Sequence, residues 1–331
     1  MSRYAKIVGT GSYVPEKMLT NHDLSQMLGE DINTFVSQVV GIERRHFCSE
    51  KENTIDLAVA AGRKAIKSAN LNAEEIDLII VATDTPAYIS PATSPIVQSS
   101  LGAKNAGSFD INCACAGFVT ALKTAATYII GDPEYKNILV IGAYAMSKYL
   151  DWDDKKTCTI FADGAGAVVL QASKEPGYLA SKLYADGQYH SYLGIFAGGT
   201  AMPITKEVLK ENKYNKVRFL QKYPTEINME GWPNIVKETL KKANAELKDV
   251  KQLFFTQVNL STIKAVMERL ELPMSLTHTI MDKWGYTGSA CIPMALDDAV
   301  ALGKLQNGDL IVMCASGGGL NMACTVFRWS I

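Results

Sequence analysis

Apolar positions along the chain keep two rhythms that alternate from end to end. Three continuous runs, "IDLIIVAT" (76–83), "NILVIGA" (137–143) and "DLIVMCA" (309–315), carry no polar face and predict strands buried on both sides. "AKIVGTGSYVP" near the start predicts a strand ending in turn residues, and "GAGAVVL" (164–170) predicts another. Between them, "TIDLAVAAGRKAIKSAN" (54–70) has helical spacing and opens on Thr54, a side chain suited to capping a helix. "AGFVTALKTAATYII" (116–130) shows the same spacing. Strands separated by helices predict an α/β architecture with largely buried sheets.

The pattern also repeats at long range. "AIKSANLNAEEIDLIIVATDTP" (65–86) resembles "TLKKANAELKDVKQLFFTQVNL" (239–260): each is a helix ending in Ala-Asn, an acidic linker and a buried strand. A second pair follows in the same order, "ILVIGAYAM…FADGAGAVVLQ" against "LIVMCASGGGLNMACTVFRW". Two similar halves, 1–170 and 171–331, are therefore expected. The segment 186–232 breaks the rhythm, first glycine- and aromatic-rich, then lysine-rich, and predicts a long excursion bordering a site.

Composition narrows the function by exclusion. The 331 residues are 47% hydrophobic, enough for a large core. With 33 basic and 34 acidic residues, a net charge of −1 and no basic block, the chain does not read as a nucleic-acid binder. The first residues carry no signal-peptide pattern, and the run "AGAVVL" is far too short to span a bilayer. A soluble cytoplasmic protein with no membrane association is expected. Its seven cysteines are then reduced, and the odd number argues against a full disulfide framework.

The chemistry concentrates in "INCACAGF" (111–118). A C-x-C spacing with four scattered histidines (His22, His46, His190, His278) does not suit a metal site. A Cys113–Cys115 disulfide would close a strained ring in a reducing compartment. Two readings remain: a pair of packed structural thiols, or a nucleophile. "FDIN" reads as a strand end and the helix opens just beyond, so Cys115 sits where free N–H groups and the helix dipole favour a thiolate. Ala116 and Gly117 leave room for a substrate, as in a nucleophile elbow. Cys113 reads as packing.

At this point the chain resembles β-ketoacyl-acyl carrier protein synthase III, in the thiolase superfamily. The matching stretches are "IVGTGSYVPEKMLTN" (7–21), "GIERRHF" (41–47), "FDINCACAGFVTAL" (109–122), "IFADGAGAVVL" (160–170), "GYTGSACIPMALDDAV" (285–300) and "SGGGL" (316–320). The resemblance implies a thiolase-like five-layer αβαβα fold and a homodimer, and requires no cofactor. It implies that Cys115 accepts an acyl group as a thioester, from acyl-CoA or an acyl carrier protein. The implied oxyanion hole is the N–H of Cys115 with that of Gly318. Asp163 in "FADGAG" matches a turn-forming residue rather than a catalyst.

Two positions depart from the family pattern. Members carry a histidine in a Pro-His-Gln-Ala-Asn-like run, where this chain reads "FTQVNL" and puts Thr256, with Gln257 and Asn259 holding the register. They carry an asparagine after the glycine of a "GNTS"-like run, where this chain reads "GYTGS" and puts Tyr286. Neither a threonine nor an unperturbed tyrosine is a base near neutral pH. At the mouth, Phe35 and Val39 stand where CoA-clamping members have tryptophan and arginine, which favours a carrier-protein donor; Phe35 retains a ring to stack. His190, in the excursion, is a candidate to replace the missing base, and Phe35, Asn259 and His190 are the expected substrate contacts. His278 reads as structural. The leading expectation is an acyltransferase passing its acyl group to an acceptor that needs little enolate stabilisation, in fatty-acid, polyketide or specialised-metabolite biosynthesis. The alternatives are a decarboxylating synthase using a malonyl thioester, and a non-catalytic partner subunit of a heteromeric synthase.

Overall fold

The protein is described here by a computed structural model covering residues 3–331. Strands β1 (Tyr4–Tyr13), β2 (Leu78–Ala82), β3 (Gly107–Ile111), β4 (Asn137–Ala145) and β5 (Asp163–Ser173) form one sheet in the order β1-β5-β4-β2-β3. Strands β6 (Tyr178–Ala185), β7 (Val250–Phe255), β8 (Leu310–Gly317) and β9 (Asn321–Arg328) form a second, in the order β7-β8-β9-β6. In the first sheet β2 runs parallel to both β3 and β4, and β5 is antiparallel to β4 and β1. In the second, β7 is parallel to β8, and β9 is antiparallel to β8 and β6. The second order is the first without its terminal strand.

The helices that matter for the site are α1 (Thr54–Ser68), α2 (Thr93–Leu101), α3 (Gly117–Gly131), α4 (Glu226–Lys242), α5 (Leu260–Arg269) and α6 (Cys291–Ala301). Helices α3 and α6 lie between the sheets and touch both, α1 and α2 cover the outer face of the first, and α4 covers that of the second with α5 against it. The result is the five-layer thiolase-like fold. A helix between two sheets is apolar around most of its circumference. Accordingly, residues 114–131 are long and apolar enough to cross a membrane by composition, a longer stretch than the run "AGAVVL" weighed in the sequence. Their packing explains the composition: Ala121, Leu122, Ala125, Ala126 and Ile129 are fully buried between the layers.

Most predicted elements form within two or three residues of their expected ends. The cap of α1 is Asn53 rather than Thr54: the Asn53 side chain accepts from Ile55 N–H, while the Thr54 hydroxyl turns inward to Thr85 O. The repeated Ala-Asn has a physical basis. Asn70 (φ +55°) and Asn244 (φ +52°) each adopt the left-handed conformation that stops the preceding helix. A single 3₁₀ turn, Ala73–Glu75 or Leu247–Asp249, then leads into the strand. The chain passes from one sheet to the other between Ser173 and Tyr178, slightly beyond 170. The excursion is shorter than 186–232, because α4 already begins at Glu226. It holds a two-residue pairing of 193–194 with 218–219 and the short helix Lys206–Glu211.

Candidate active site

The reactive turn is built by the passage from β3 into α3. After Ile111, the Asn112 side chain accepts from Ala114 N–H at 3.0 Å, and Ala114 takes φ +46°, unusual for a residue with a Cβ. Ala116 N–H then bonds Cys113 O at 3.1 Å and Gly117 N–H bonds Ala114 O at 2.9 Å. Cys115, 8% exposed, sits at the tip of this tight turn, and its N–H meets no backbone carbonyl among the described residues. Gly117 opens α3 beside β2: a Cβ there would lie 3.3 Å from Ala82 Cβ. The sulfur thus belongs to the residue just before the cap of a buried helix, at its positive end.

The glycine run after β8 closes on this turn. A Cβ at Gly317 would stand 2.5 Å from Cys113 O and 2.8 Å from Cys115 N, closer than real side chains approach. At Gly318 the nearest such contact is Leu193 O, at 3.3 Å. Both glycines line the cavity, and Gly317 packs directly on the turn.

Tyr286 follows Gly285 (φ +73°), and its backbone is pinned by Tyr286 N–H to Ile160 O (3.1 Å) and Ala162 N–H to Tyr286 O (2.9 Å). Its ring lies against Phe161, centroids 5.7 Å apart, and its hydroxyl faces the Cys115 sulfur, where it favours the thiolate. Burial holds the phenol well above its ordinary pKa, so it remains a donor. Burial likewise pushes the Cys115 thiol well up, with repulsion from Asp84 adding and the Tyr286 hydroxyl opposing. The resting group is therefore a thiol: desolvation outweighs the helix end that the sequence emphasises.

Thr256 lies just beyond β7 and lines the same cavity, yet its hydroxyl is committed to the backbone. It accepts from Ser316 N–H at 3.0 Å and donates to Ser316 O at 3.4 Å. Gln257 is equally structural, receiving Ile280 N–H at 2.7 Å and donating to His278 O at 3.0 Å. Asn259 lines the cavity and caps α5 through Ser261 N–H (2.8 Å).

The cavity over Cys115 is about 440 Å³, walled by Phe161, Leu193, Phe219, Tyr223, Thr256 and Tyr286 among others. It shares Phe35, Val40, Ile160, Phe219 and Tyr223 with an outer cavity of about 660 Å³ that carries Lys155, Lys156 and Lys222 beside Glu30 and Asp31. Phe35, 62% exposed, marks the mouth, and Val39 is part-exposed on the same turn. His190 is exposed on its own turn, with Nδ1 3.1 Å from Gly187 O, and does not line the cavity. His278 is buried against Asp298, at 2.7 Å, and Asp163 is held by Cys48 N–H and Ser147, both as structural groups.

Sequence reasoning missed the roof. Leu193, Phe219 and Tyr223 come from the excursion, whose only signal was its aromatic content. It also missed Asp84, an acidic residue in the apolar end of "IIVATDTP".

Residues 109–187 match the family model of 3-oxoacyl-[acyl-carrier-protein (ACP)] synthase III, and residues 240–329 match the model of its C-terminal part. The chain is 39% identical over 327 residues to the β-ketoacyl-[acyl-carrier-protein] synthase III of Thioalkalivibrio sulfidiphilus, covering 98% of this chain and 99% of the relative. It superposes on the crystal structure of 3-oxoacyl-[acyl-carrier-protein] synthase III from Aquifex aeolicus with a TM-score of 0.88 at 35% identity, covering 98% and 100% of the two chains. The priming β-ketosynthase of the R1128 polyketide pathway gives a TM-score of 0.91 at 26% identity, covering 99% and 97%.

Proposed function

Because the chain belongs to the 3-oxoacyl-[acyl-carrier-protein] synthase III family, we propose that Cys115 takes an acyl group from a thioester donor and hands it to an acceptor. The enzyme is an acyltransferase of the condensing type. The Cys115 sulfur attacks the donor carbonyl, the new C–S bond forms as the donor C–S bond breaks, and the donor thiol leaves with a proton. Negative charge on the carbonyl oxygen is met by the Cys115 N–H and an N–H of the adjoining glycine run. The observation that carries this reading is the strained turn that leaves the Cys115 N–H unspent at the floor of the cavity.

The second half-reaction differs from that of a member with histidine and asparagine. Tyr286 offers one donor beside the sulfur, whereas the Thr256 hydroxyl is spent on Ser316. This favours an acceptor that needs little enolate stabilisation, such as a hydroxyl, an amine or an already activated carbon, over malonyl decarboxylation. The complete elbow and open cavity weigh against a purely scaffolding subunit.

The donor is a carrier-protein thioester in this reading, because Val39 offers no charge at the mouth while Lys155, Lys156 and Lys222 line the outer cavity. We further read the protein as a cytoplasmic homodimer of two duplicated halves. Its cysteines are free thiols, and β3 is an edge strand, unpaired on one side among the described residues and suited to a second copy. Incubation with acyl-CoA and acyl-carrier-protein donors, followed by intact mass, tests the first step. A mass gain absent from Cys115→Ala supports it, and no gain with any donor overturns it.

A further inference from the structure

The site has a nucleophilic thiol but no histidine within its cavity walls, and a thiol must lose its proton before it can form a thioester. One unclaimed acid lies close by. Asp84 is two residues past the carboxyl end of β2, the strand between β3 and β4. Its neighbours fix it in the notch between the ends of those strands. Thr83 N–H bonds Ile111 O at 3.1 Å, just before the elbow, and Thr85 Oγ1 accepts Ala145 N–H at 2.9 Å, at the end of β4. Ala82, two residues before Asp84, is the contact that would meet a Cβ on Gly117, two residues after Cys115. The Asp84 carboxyl is half-buried, and its Oδ1 is sealed from solvent with no hydrogen-bond partner among the described residues.

We infer that Asp84 is the proton acceptor of Cys115, taking the place of the histidine that the site lacks. This rests on the acyl-cysteine reading and deepens it. Asp84 does not line the cavity, so it approaches the sulfur from behind and leaves the front free for the thioester. No direct hydrogen bond joins the two side chains at rest, and the proton crosses by one water, which a buried unpartnered carboxylate oxygen is suited to hold. The Cys115 S–H proton moves to the Asp84 carboxylate as the S–C bond to the acyl carbon forms. It moves on to the donor sulfur as the donor C–S bond breaks.

The environment suits the task. Burial pushes the Asp84 carboxyl up to about 6, close to the range in which a base works at neutral pH. The titratable groups facing the pair are Tyr144 on β4, Tyr149 beyond it, Tyr223 in the cavity wall, Tyr286 and Cys291; burial raises all five and keeps them protonated. No cationic group offsets the Asp84 charge among the described residues.

The test follows Cys115 alkylation by iodoacetamide across pH 4.5–9, mapped to the Cys115 peptide, and in parallel the acylation rate with acetyl-CoA and with acetylated acyl carrier protein. Wild type, Asp84→Asn and Asp84→Glu are compared, with Cys115→Ala as blank. The inference expects a wild-type limb with its midpoint near pH 6. It expects that limb to vanish in Asp84→Asn, with a fall of about 10²-fold or more at pH 7, and to return in part with glutamate. An unchanged profile in Asp84→Asn overturns it, as does a faster reaction, which would make Asp84 only a repelling charge. Wild type with no limb near pH 6 overturns it even if Asp84→Asn does not fold. A wild type that alkylates as expected but never acylates with any acyl-CoA or acyl-carrier-protein donor would instead defeat the acyl-transfer reading alone.

Discussion

Replacing Tyr286 with phenylalanine removes one oxygen and leaves the ring packed against Phe161. That oxygen faces the Cys115 sulfur and favours its thiolate. A hydrogen bond to a charged partner contributes about 1.5–3 kcal/mol, and about 1.4 kcal/mol corresponds to tenfold in rate. As the sulfur gains charge on its way to thiolate, Tyr286→Phe forfeits that stabilisation. Alkylation and acylation of Cys115 at pH 7 should therefore slow by roughly 10- to 100-fold. The ground state carries little of this, since a neutral thiol is a weak acceptor, so unfolding free energy should shift by less than about 1 kcal/mol. The assay is the intact-mass time course for both reactions, with a denaturant melt on the same sample. An unchanged or faster rate at unchanged stability would refute the reasoning and reduce Tyr286 to a space-filling ring.

The other expectations separate scaffold from chemistry. Thr256→Val leaves the buried Ser316 N–H without its acceptor and should cost about 1–3 kcal/mol in a urea melt, while acylation by a thioester donor stays near wild type; a large kinetic loss at unchanged stability would return Thr256 to the chemistry. Gly317→Ala forces a Cβ onto Cys113 O and Cys115 N, so it should lower stability by about 1–3 kcal/mol and abolish the mass gain at Cys115. Phe35→Ala, at the exposed mouth, should raise KM for the donor with kcat retained and stability within about 0.5 kcal/mol, by steady-state assay and melt. Asp84 adds a pH effect. Its carboxyl, raised to about 6 by burial, lies above an unfolded aspartate near 3.9. The native state therefore favours the protonated acid, and this contribution is full below about pH 4 and is lost as pH rises through 6. Stability of wild type relative to Asp84→Asn should fall by up to about 3 kcal/mol between pH 4 and pH 8, and a difference constant with pH would refute it.

Much of this protein is written in local pattern. Runs such as "IDLIIVAT" are strands because a strand buried on both faces has no polar period to keep, and the repeated Ala-Asn survives as Asn70 and Asn244 because so few residues tolerate a left-handed stop. Cys115 was legible for the same reason: strand end, small residues and helix start are consecutive in the chain. The replacements at Thr256 and Tyr286 were legible as identities only. Their different roles depend on what stands opposite, and tertiary packing set Ser316 against one hydroxyl and the Cys115 sulfur against the other. Residue type likewise singled out His190, while the fold left it on an exposed turn and put Asp84, 31 residues before the cysteine in sequence, at the carboxyl ends of adjoining parallel strands. The thiol's protonation followed the same division: the sequence showed the helix start that favours a thiolate, and only the packed layers around it supplied the desolvation that overrules it. Local sequence determines backbone conformation because its causes lie within a few residues. Contacts and electrostatic environment arise between segments distant in the chain, and only the assembled layers decide them.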